Sequence, residues 1–243
     1  MKSRRLTETD LANMAFKPVA TKRLRLTSIE KPKPIPGSYE PFRRSNGDAV
    51  NLQLPLLPSA QERTALAQLE AVVAKACKGD AELLAMNLPI ARSTHEYADA
   101  NGITATKEDV RRLILPFGHR YDFGMPLLMA YPQSNFVAVF PDLRRTDPLT
   151  EVGHRVVFSF MHQRWRESNP DFAMIGLQAW RYRNCDSRAI KVYDCAEQDL
   201  IPYDQLIADV RQTYDIWHEV LQEAAMDRRK SGGGTGPLFG SGI

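Results

Sequence analysis

The chain has 243 residues, of which 43% are hydrophobic and 25% are charged. This balance is typical of a globular protein with a core of ordinary size. No apolar run approaches the roughly 20 residues that cross a bilayer, and no apolar stretch follows the basic start, so the sequence predicts neither a membrane protein nor a secretory signal. Three cysteines, an odd number, favour free thiols in a reducing compartment, which we interpret as the cytoplasm.

Residues 1–47 are predicted to form an extended basic arm. The whole chain has a net charge of +3, but residues 1–44 contain eleven Lys or Arg against four Asp or Glu. Residues 31–37 include three prolines, which favour an extended path. Basic and apolar side chains alternate over residues 21–27, and this period of two predicts a short strand. Such an arm indicates a polyanionic partner; a solvated tail is the alternative interpretation.

Residues 48–230 are predicted to form the folded core. A first helix is predicted from Ser59, because Ser59 and Glu62 have the spacing of a capping box. Apolar residues at helical spacing continue this helix until Gly79 ends it. Residues 80–103 are predicted to be partly helical, with a turn at the Asn-Gly pair of residues 101 and 102.

The middle of the chain mixes short elements. A short helix is predicted after Thr106, an aromatic and glycine-bearing loop over residues 116–124, and a strand over residues 136–140. Asp147-Pro148 then predicts the start of a long helix, with the aspartate as its cap and the proline in its first turn.

The last third is predicted to contain a hairpin and a long helix. Residues 171–183 and 187–194 are predicted to be strands joined by a turn, and Pro202 opens the helix. Residues 231–243 form a tail of flexible, glycine-rich composition. The predicted fold class is α+β, a single compact domain with a small antiparallel sheet and several long helices.

The hairpin and the helix after Pro148 add cations to those of the arm. On the hairpin, four Lys or Arg lie beside aromatic residues, a combination that can hold phosphates and stack on bases; arginines at the end of a core strand are the alternative. On the helix, cations near one face could contact DNA, or could simply be solvated. The predicted nucleic-acid-binding residues are Lys22, Arg23, Arg25, Lys31, Lys33, Arg43, Arg44, Arg155, Arg166, Arg181, Arg183, Arg188 and Lys191.

No pattern predicts catalysis, a cofactor or a metal site. The sequence has no Cys-x-x-Cys pair and no pair of histidines at zinc spacing. Ser159 lies in an apolar run without a nucleophile-elbow pattern. Asp186 and Lys191 lack the intervening glutamate of a metal-dependent nuclease. We therefore predict a non-enzymatic protein without catalytic residues, cofactor or metal.

One aromatic motif resembles a known family. The motif F-G-x-x-Y-x-F at residues 117–123, followed by Leu127-Leu128 and Tyr131, resembles a stretch of AcaB-like proteins, which conjugative plasmids and integrative conjugative elements encode. Residues 51–54 resemble an earlier part of the same family. The resemblance implies a promoter-binding activator of conjugation genes with a ribbon-helix-helix-type element. The predicted strands here each precede one long helix rather than two short ones, so only the functional class is carried over.

These observations lead to a functional hypothesis. The chain is predicted to be a DNA-binding transcriptional regulator of a mobile genetic element, acting alone or as a homodimer, with RNA left open as a substitute for DNA. A subunit of a larger nucleoprotein assembly is the first alternative, because the short segment at residues 237–240 could dock into a partner protein. A nuclease-like enzyme is the second alternative.

Overall fold

The computed structural model describes residues 4–30, 39–53, 62–132 and 136–231, with the backbone alone for residues 229–231. None of the helices in these residues is both long enough and apolar enough to cross a membrane. The helices are α1 (Glu8–Met14), α2 (Val19–Glu30), α3 (Glu40–Ala49), α4 (Leu66–Ala76), α5 (Ala81–Ala100), α6 (Glu151–Trp165) and α7 (Tyr203–Ser231). The strands are β1 (Thr104–Lys107), β2 (Leu113–Ile114), β3 (Arg120–Tyr121), β4 (Leu127–Ala130), β5 (Phe136–Asp142), β6 (Gly176–Tyr182) and β7 (Ile190–Asp194).

Five strands form the central sheet in the order β1-β4-β5-β6-β7, and β2 and β3 form a separate antiparallel pair. Neighbours in the central sheet are antiparallel except β5 and β6, which are parallel. Helix α6 connects these two strands and returns the chain to the end of the sheet where β5 begins, as a parallel pair requires. The predicted α+β class is confirmed, and the sheet that was predicted to be antiparallel is mixed, because β5 and β6 are parallel.

The sheet is covered on both faces, which creates two hydrophobic cores. Along β6, Leu177 and Ala179 enter the core formed with α1, α2, α6 and α7, whereas Trp180 and Tyr182 enter the core formed with α3, α4 and α5. This is the alternation that a strand imposes on successive side chains. Trp180 and Tyr182, which the sequence placed on a base-stacking surface, are therefore part of the interior.

The predicted extended arm is wrong in the described part of residues 1–47, which contains three helices. Lys22, Leu26 and Glu30 are buried at intervals of four residues in α2, so the buried stripe of this helix includes two charged side chains. A hydropathy pattern does not register such a stripe, so the strand that alternation predicts over residues 21–27 is wrong. The proline-rich residues 31–37 lie outside the described residues.

Helix α6 begins three residues later than its sequence signal. Asp147 has a left-handed backbone (φ 51°), whereas a capping residue is extended. Thr150 is extended and its Oγ1 accepts the N–H of Gly153 at 3.0 Å, so Thr150 is the cap. The loop before it is held by buried Asp142, whose Oδ2 accepts the N–H of Leu149 at 3.1 Å.

The remaining element predictions divide as follows. Helix α4, the hairpin of β6 and β7, and the start of α7 after Pro202 are confirmed. The short helix after Thr106 is wrong, because this region forms β1 and β2. Residues 171–175 are not strand, since a 3-10 helix occupies Pro170–Phe172. Helix α4 begins at Leu66 with Ala65 as its cap, and residues 62–65 are not helical, so the predicted start at Ser59 is wrong. Ser59 itself and the tail after residue 231 lie outside the described residues.

Candidate nucleic-acid interface and an exposed apolar hairpin

Cations of α2 make contacts with side chains of α7. Lys22 is fully buried, and its Nζ lies 2.6 Å from Asp209 Oδ1 and 2.9 Å from Gln212 Oε1, both on α7. Arg23 donates to Glu219 at 2.7 Å and also to Glu223, and its hydrogen bond to Glu219 is the main reason that the pKa of Arg23 is raised. Predicted phosphate ligands thus form a seam with α7.

Two further arginines of the predicted arm are also paired with carboxylates. Arg25 lies 3.2 Å from Asp147 Oδ1, and Arg44 donates to Glu40 at 3.0 Å one helical turn earlier. Exposed pairs of this kind add little stability, but they reduce the positive charge that the surface shows to a polyanion. Lys31 and Lys33 lie outside the described residues.

The arginines of the β6–β7 hairpin are structural. Arg181 is mostly buried and lies 3.4 Å from Asp142 Oδ2, while it also donates to the carbonyl of Arg144. Arg188 is 1% exposed and donates to the carbonyl of Leu143 at 2.5 Å. Both side chains therefore fix the loop that leads from β5 to α6, and neither can reach a phosphate.

Helix α6 uses its predicted cations to hold its neighbours. Arg155 donates to the carbonyl of Asp199 at 3.3 Å, and Arg166 donates twice to the carbonyl of Ile175, at 2.9 and 2.6 Å. Among the predicted ligands that the structure describes, three are exposed and form no ion pair. These are Arg43, Arg183 and Lys191. Most of the described cations predicted to bind nucleic acid therefore make contacts within the protein instead.

The β2–β3 hairpin, which we define as residues 113–121, exposes apolar side chains on the surface. Its side chains Ile114 and Phe117 are 64% and 46% exposed, although both are large and apolar. Leu115 between them is buried and anchors the hairpin to the core. Strands β2 and β3 pair Leu113 with Tyr121 and Ile114 with Arg120, without joining the central sheet.

Aromatic contacts support the tip of this hairpin. The ring of Phe117 lies 5.6 Å from that of Tyr214 and 4.9 Å, edge to face, from His218, both on α7. His119 stacks on Tyr214 at 4.7 Å. Phe117 has a left-handed backbone (φ 67°), which is a genuine outlier for a bulky residue. The tip is thus held in one conformation by its neighbours.

The base of the hairpin is tied to the N-terminal segment. The hydroxyl of Tyr121 donates to the carbonyl of Leu6 at 2.9 Å and is hydrogen-bonded to the hydroxyl of Tyr214, while the N–H of Leu6 donates to Tyr214 at 3.2 Å. Burial is the main reason that the pKa of Tyr121 is raised. Burial, followed by the charges of Arg5 and His218, lowers the pKa of His119.

The hairpin also has a cationic border. Arg111 and Arg120 are exposed, and neither forms an ion pair with another described residue, in contrast to the arginines of α2. Arg112 is paired with Asp122 at 3.0 Å. No group of three or more His, Cys, Asp or Glu in the described ranges could hold a metal ion.

Sequence reasoning missed this surface because it treated residues 106–114 as helical and residues 116–124 as a structured loop without an exposed apolar face. The signal that could have revealed it is the segment Leu-Ile-Leu-Pro-Phe-Gly at residues 113–118, because its first three residues are apolar and a proline follows. Alternation cannot be seen in two-residue strands, so the apolar run before the proline, rather than a period, was the available signal.

Comparisons with known proteins give an independent result. A family described as "Sliding clamp-binding bacterial toxin SocB" matches residues 9–227. The chain is 29% identical over 237 residues to the "DNA replication inhibitor toxin SocB" of Caulobacter vibrioides (strain NA1000 / CB15N), covering 96% of this chain and 97% of that protein. No solved structure matches.

These matches overturn the earlier functional hypothesis. The AcaB-like resemblance is wrong, since a family match over residues 9–227 outweighs a short aromatic motif. The predictions of a transcriptional regulator, a conjugation function and a nucleic-acid partner are wrong as well, because the family and the relative are described by clamp binding and inhibition of replication. The two alternatives, a nucleoprotein subunit and a nuclease, do not match these descriptions either. The aromatic motif itself lies mostly in the β2–β3 hairpin.

Proposed function

We propose that this chain, which belongs to the SocB family, is a toxin that inhibits DNA replication by binding a sliding clamp. The family match carries this proposal. It begins in α1, ends in α7 and includes the entire sheet, and the alignment with the toxin of Caulobacter vibrioides leaves almost no part of either chain unmatched. The shared function would therefore belong to the whole domain rather than to an added module.

Inhibition through binding requires a contact surface and no chemistry. A sliding clamp holds other replication proteins on DNA, so a protein that occupies its contact surface excludes them by mass action. We therefore propose that the chain is not an enzyme, and that it acts in the cytoplasm, where bacterial DNA is replicated. The absence of a recognisable catalytic pattern in the sequence supports this mode of action.

Two parts of the chain could supply apolar contacts. One is the β2–β3 hairpin. The other is a stretch of sequence with leucines at positions 54, 56 and 57, which lie outside the described residues. It directly follows Gln53, whose N–H donates to the carbonyl of Ala105 in β1 at 2.8 Å. Short apolar segments that enter a partner's groove are a common mode of protein recognition.

The direct test measures binding of the purified chain to the purified sliding clamp encoded by the same genome. We expect a saturable complex in calorimetry, and we expect induced expression to stop incorporation of labelled thymidine in growing cells. Excess clamp should restore that incorporation. Failure of the folded chain to bind the clamp would refute the proposal, and so would inhibition that excess clamp does not relieve.

A second measurement separates clamp binding from the discarded DNA hypothesis. The chain is titrated with duplex DNA over a range of salt concentrations. Because most predicted phosphate ligands are paired internally, we expect weak binding at low salt that disappears at moderate salt. Binding to DNA as tight as binding to the clamp would contradict the proposal.

A further inference from the structure

Residues 4–6, which we call the strap, connect α7 to the base of the β2–β3 hairpin without forming a helix or a strand. The indole N–H of Trp217 donates to the carbonyl of Arg4 at 2.7 Å, and this carbonyl is its one hydrogen-bond acceptor among the described residues. Leu6 is 2% exposed and belongs to the core formed with α1, α2, α6 and α7. The strap is therefore bound through its main chain and one buried side chain.

The main chain of Leu6 closes a ring of hydrogen bonds with two buried tyrosines. Its N–H donates to the hydroxyl of Tyr214 at 3.2 Å, and its carbonyl accepts from the hydroxyl of Tyr121 at 2.9 Å. Because a hydroxyl has one proton to donate, Tyr214 donates to Tyr121 and completes the ring. Both tyrosines are fully buried, so departure of the strap removes the partners that satisfy their hydroxyls. One residue of the strap thus joins β3 to α7.

The hairpin has few other contacts that hold it in place. Strands β2 and β3 pair two residues each, and neither joins the central sheet. A two-stranded hairpin by itself is marginally stable in water, and its anchors here are Leu115, the ring of Phe117 against Tyr214, and the hydroxyl of Tyr121. Two of these three anchors meet Tyr214, to which the strap is bonded. The hairpin is therefore expected to depend on the strap for its local stability.

The chain immediately after the strap is fixed to the rest of the domain. Thr7 is the cap of α1, and its Oγ1 accepts the N–H of Asp10 at 3.1 Å and a hydrogen bond from Arg144 at 2.6 Å. Opening that begins at the strap can therefore stop at Thr7 and leave α1 in place. The family match begins at residue 9, so it covers both tyrosines and Trp217 but not the strap.

We propose that the strap is a releasable element that controls the hairpin, and that the two open together as one unit while the central sheet stays folded. With the strap closed, Ile114 and Phe117 are held in the fixed positions described above. When the strap opens, this exposed apolar surface loses its order. The N-terminal segment thereby sets how often the hairpin is available as an ordered surface. The inference does not depend on the proposed function.

The test measures native-state hydrogen exchange in the full chain and in two matched variants, Tyr214→Phe and Tyr182→Phe. Each variant deletes one buried hydroxyl, but that of Tyr182 is bonded to Thr94 in the other core. In the unmodified chain, we expect the amides of Leu6 and Leu115 to share one protection factor, about tenfold or more below that of the β6 amides. Tyr214→Phe should lower this shared protection about fivefold or more. Tyr182→Phe should leave it unchanged, because Tyr182 stays packed in the opened form.

Cleavage by trypsin gives a second readout of the same opening. The guanidinium of Arg5 lies 4.4 Å over the ring of Tyr121, so the strap must leave this position before the bond after Arg5 can enter a protease. Loss of residues 1–5, followed by mass spectrometry, should be faster in Tyr214→Phe by a factor similar to that for hydrogen exchange. Tyr182→Phe should be cleaved at the rate of the unmodified chain.

Two results would overturn the inference. One is equal protection of the hairpin and β6 amides in the unmodified chain, because the hairpin would then open only with the whole domain. The other is an exchange rate of Leu115 that Tyr214→Phe does not change. Should Tyr214→Phe fail to fold, Tyr121→Phe is measured in its place, since it removes the hydroxyl that donates to the carbonyl of Leu6. Unchanged exchange of the Leu6 and Leu115 amides in that variant likewise overturns the inference.

Discussion

The seam between α2 and α7 and the β2–β3 hairpin both depart from the usual distribution of side chains, in opposite ways. The seam covers charged side chains, whereas the hairpin exposes apolar ones. In the seam, the buried Lys22 is paired with the largely covered Asp209. On the hairpin, apolar residues such as Ile114 are exposed, and cations such as Arg120 are unpaired within the described ranges. The contrast teaches that a count of charges does not locate an interaction surface. What locates it is the set of side chains that internal contacts leave available.

The largest expected effect comes from breaking the seam at its buried ion pair. Lys22→Met leaves the carboxylate of Asp209, which is 10% exposed, without its cation. Removal of one partner of a buried pair costs about 3–5 kcal/mol. We expect urea unfolding monitored by circular dichroism to show a loss of this size.

Two controls sharpen this result. Arg44→Ala removes an exposed pair on α3 and should change stability by less than about 0.5 kcal/mol. Adding Asp209→Asn to Lys22→Met should recover part of the loss, because asparagine removes the uncompensated charge and still accepts the N–H of Phe16. No recovery in the double variant would show that Lys22 acts through packing rather than charge.

A second, smaller effect concerns Asp10, which joins α1 to the loop before α6. Its two carboxylate oxygens accept from Arg144 at 2.7 Å each. Burial alone would raise the pKa of Asp10, but the hydrogen bond and charge of Arg144 outweigh burial and lower it below the ordinary 3.8. We expect Asp10→Asn to cost about 1.5–3 kcal/mol at neutral pH, as for other hydrogen bonds to charged groups.

The stabilisation that ionised Asp10 contributes should decrease in acid. Because its folded pKa is lowered, the contribution of Asp10 is complete above pH 3.8 and is lost as the pH falls through the lower folded value. Stability measured from neutral pH down into this acid range should therefore fall less steeply in Asp10→Asn than in the unmodified chain. Parallel acid curves for the two proteins would contradict the assignment.

On the hairpin, a pair of substitutions isolates the backbone strain of Phe117. Phe117→Ala and Phe117→Gly both remove the ring contacts with Tyr214 and His218, but glycine alone relieves the left-handed backbone. We expect the glycine variant to be more stable than the alanine variant by about 1 kcal/mol. Equal unfolding midpoints would mean that the loop relaxes and that Phe117 is not strained.

The smallest expected effect is the response of the hairpin to mild acid. Burial, Arg5 and His218 keep the pKa of His119 below its ordinary 6.5. The stability contribution of its neutral ring is therefore present above pH 6.5 and lost as the pH falls through the folded pKa. His154 in α6 is shifted in the same direction, mainly by burial. His119→Gln should flatten part of the slope of stability against pH below 6.5, and His154→Gln another part; a slope unchanged by both would contradict this origin.

Local patterns predicted the elements that are long and strongly periodic. Helix α7 has its apolar residues at helical spacing, and Pro202 marks its start. The β6–β7 hairpin is set by alternation and by a short turn. Tertiary contacts reinforce both patterns, so the sequence sufficed to identify them and the α+β class.

The failures occurred where a long-range contact reversed the local preference. Helix α2 buries Lys22 and Glu30 because α7 provides Asp209 and Arg228, nearly 200 residues away in sequence. The two-residue strands β2 and β3 are too short to produce a period. For α2, the information that decides the structure lies in a partner that no local window contains. For β2 and β3, the partner strand is close in sequence, but two residues are too few to show alternation.

The sequence by itself determined that the chain can form helices and strands around an apolar core, because this depends on the order of apolar and polar residues. Only the tertiary structure decided which cations meet carboxylates inside the molecule and which apolar side chains remain outside. That decision depends on desolvation and charge pairing between distant segments, and it removed the predicted nucleic-acid surface while exposing Ile114 and Phe117.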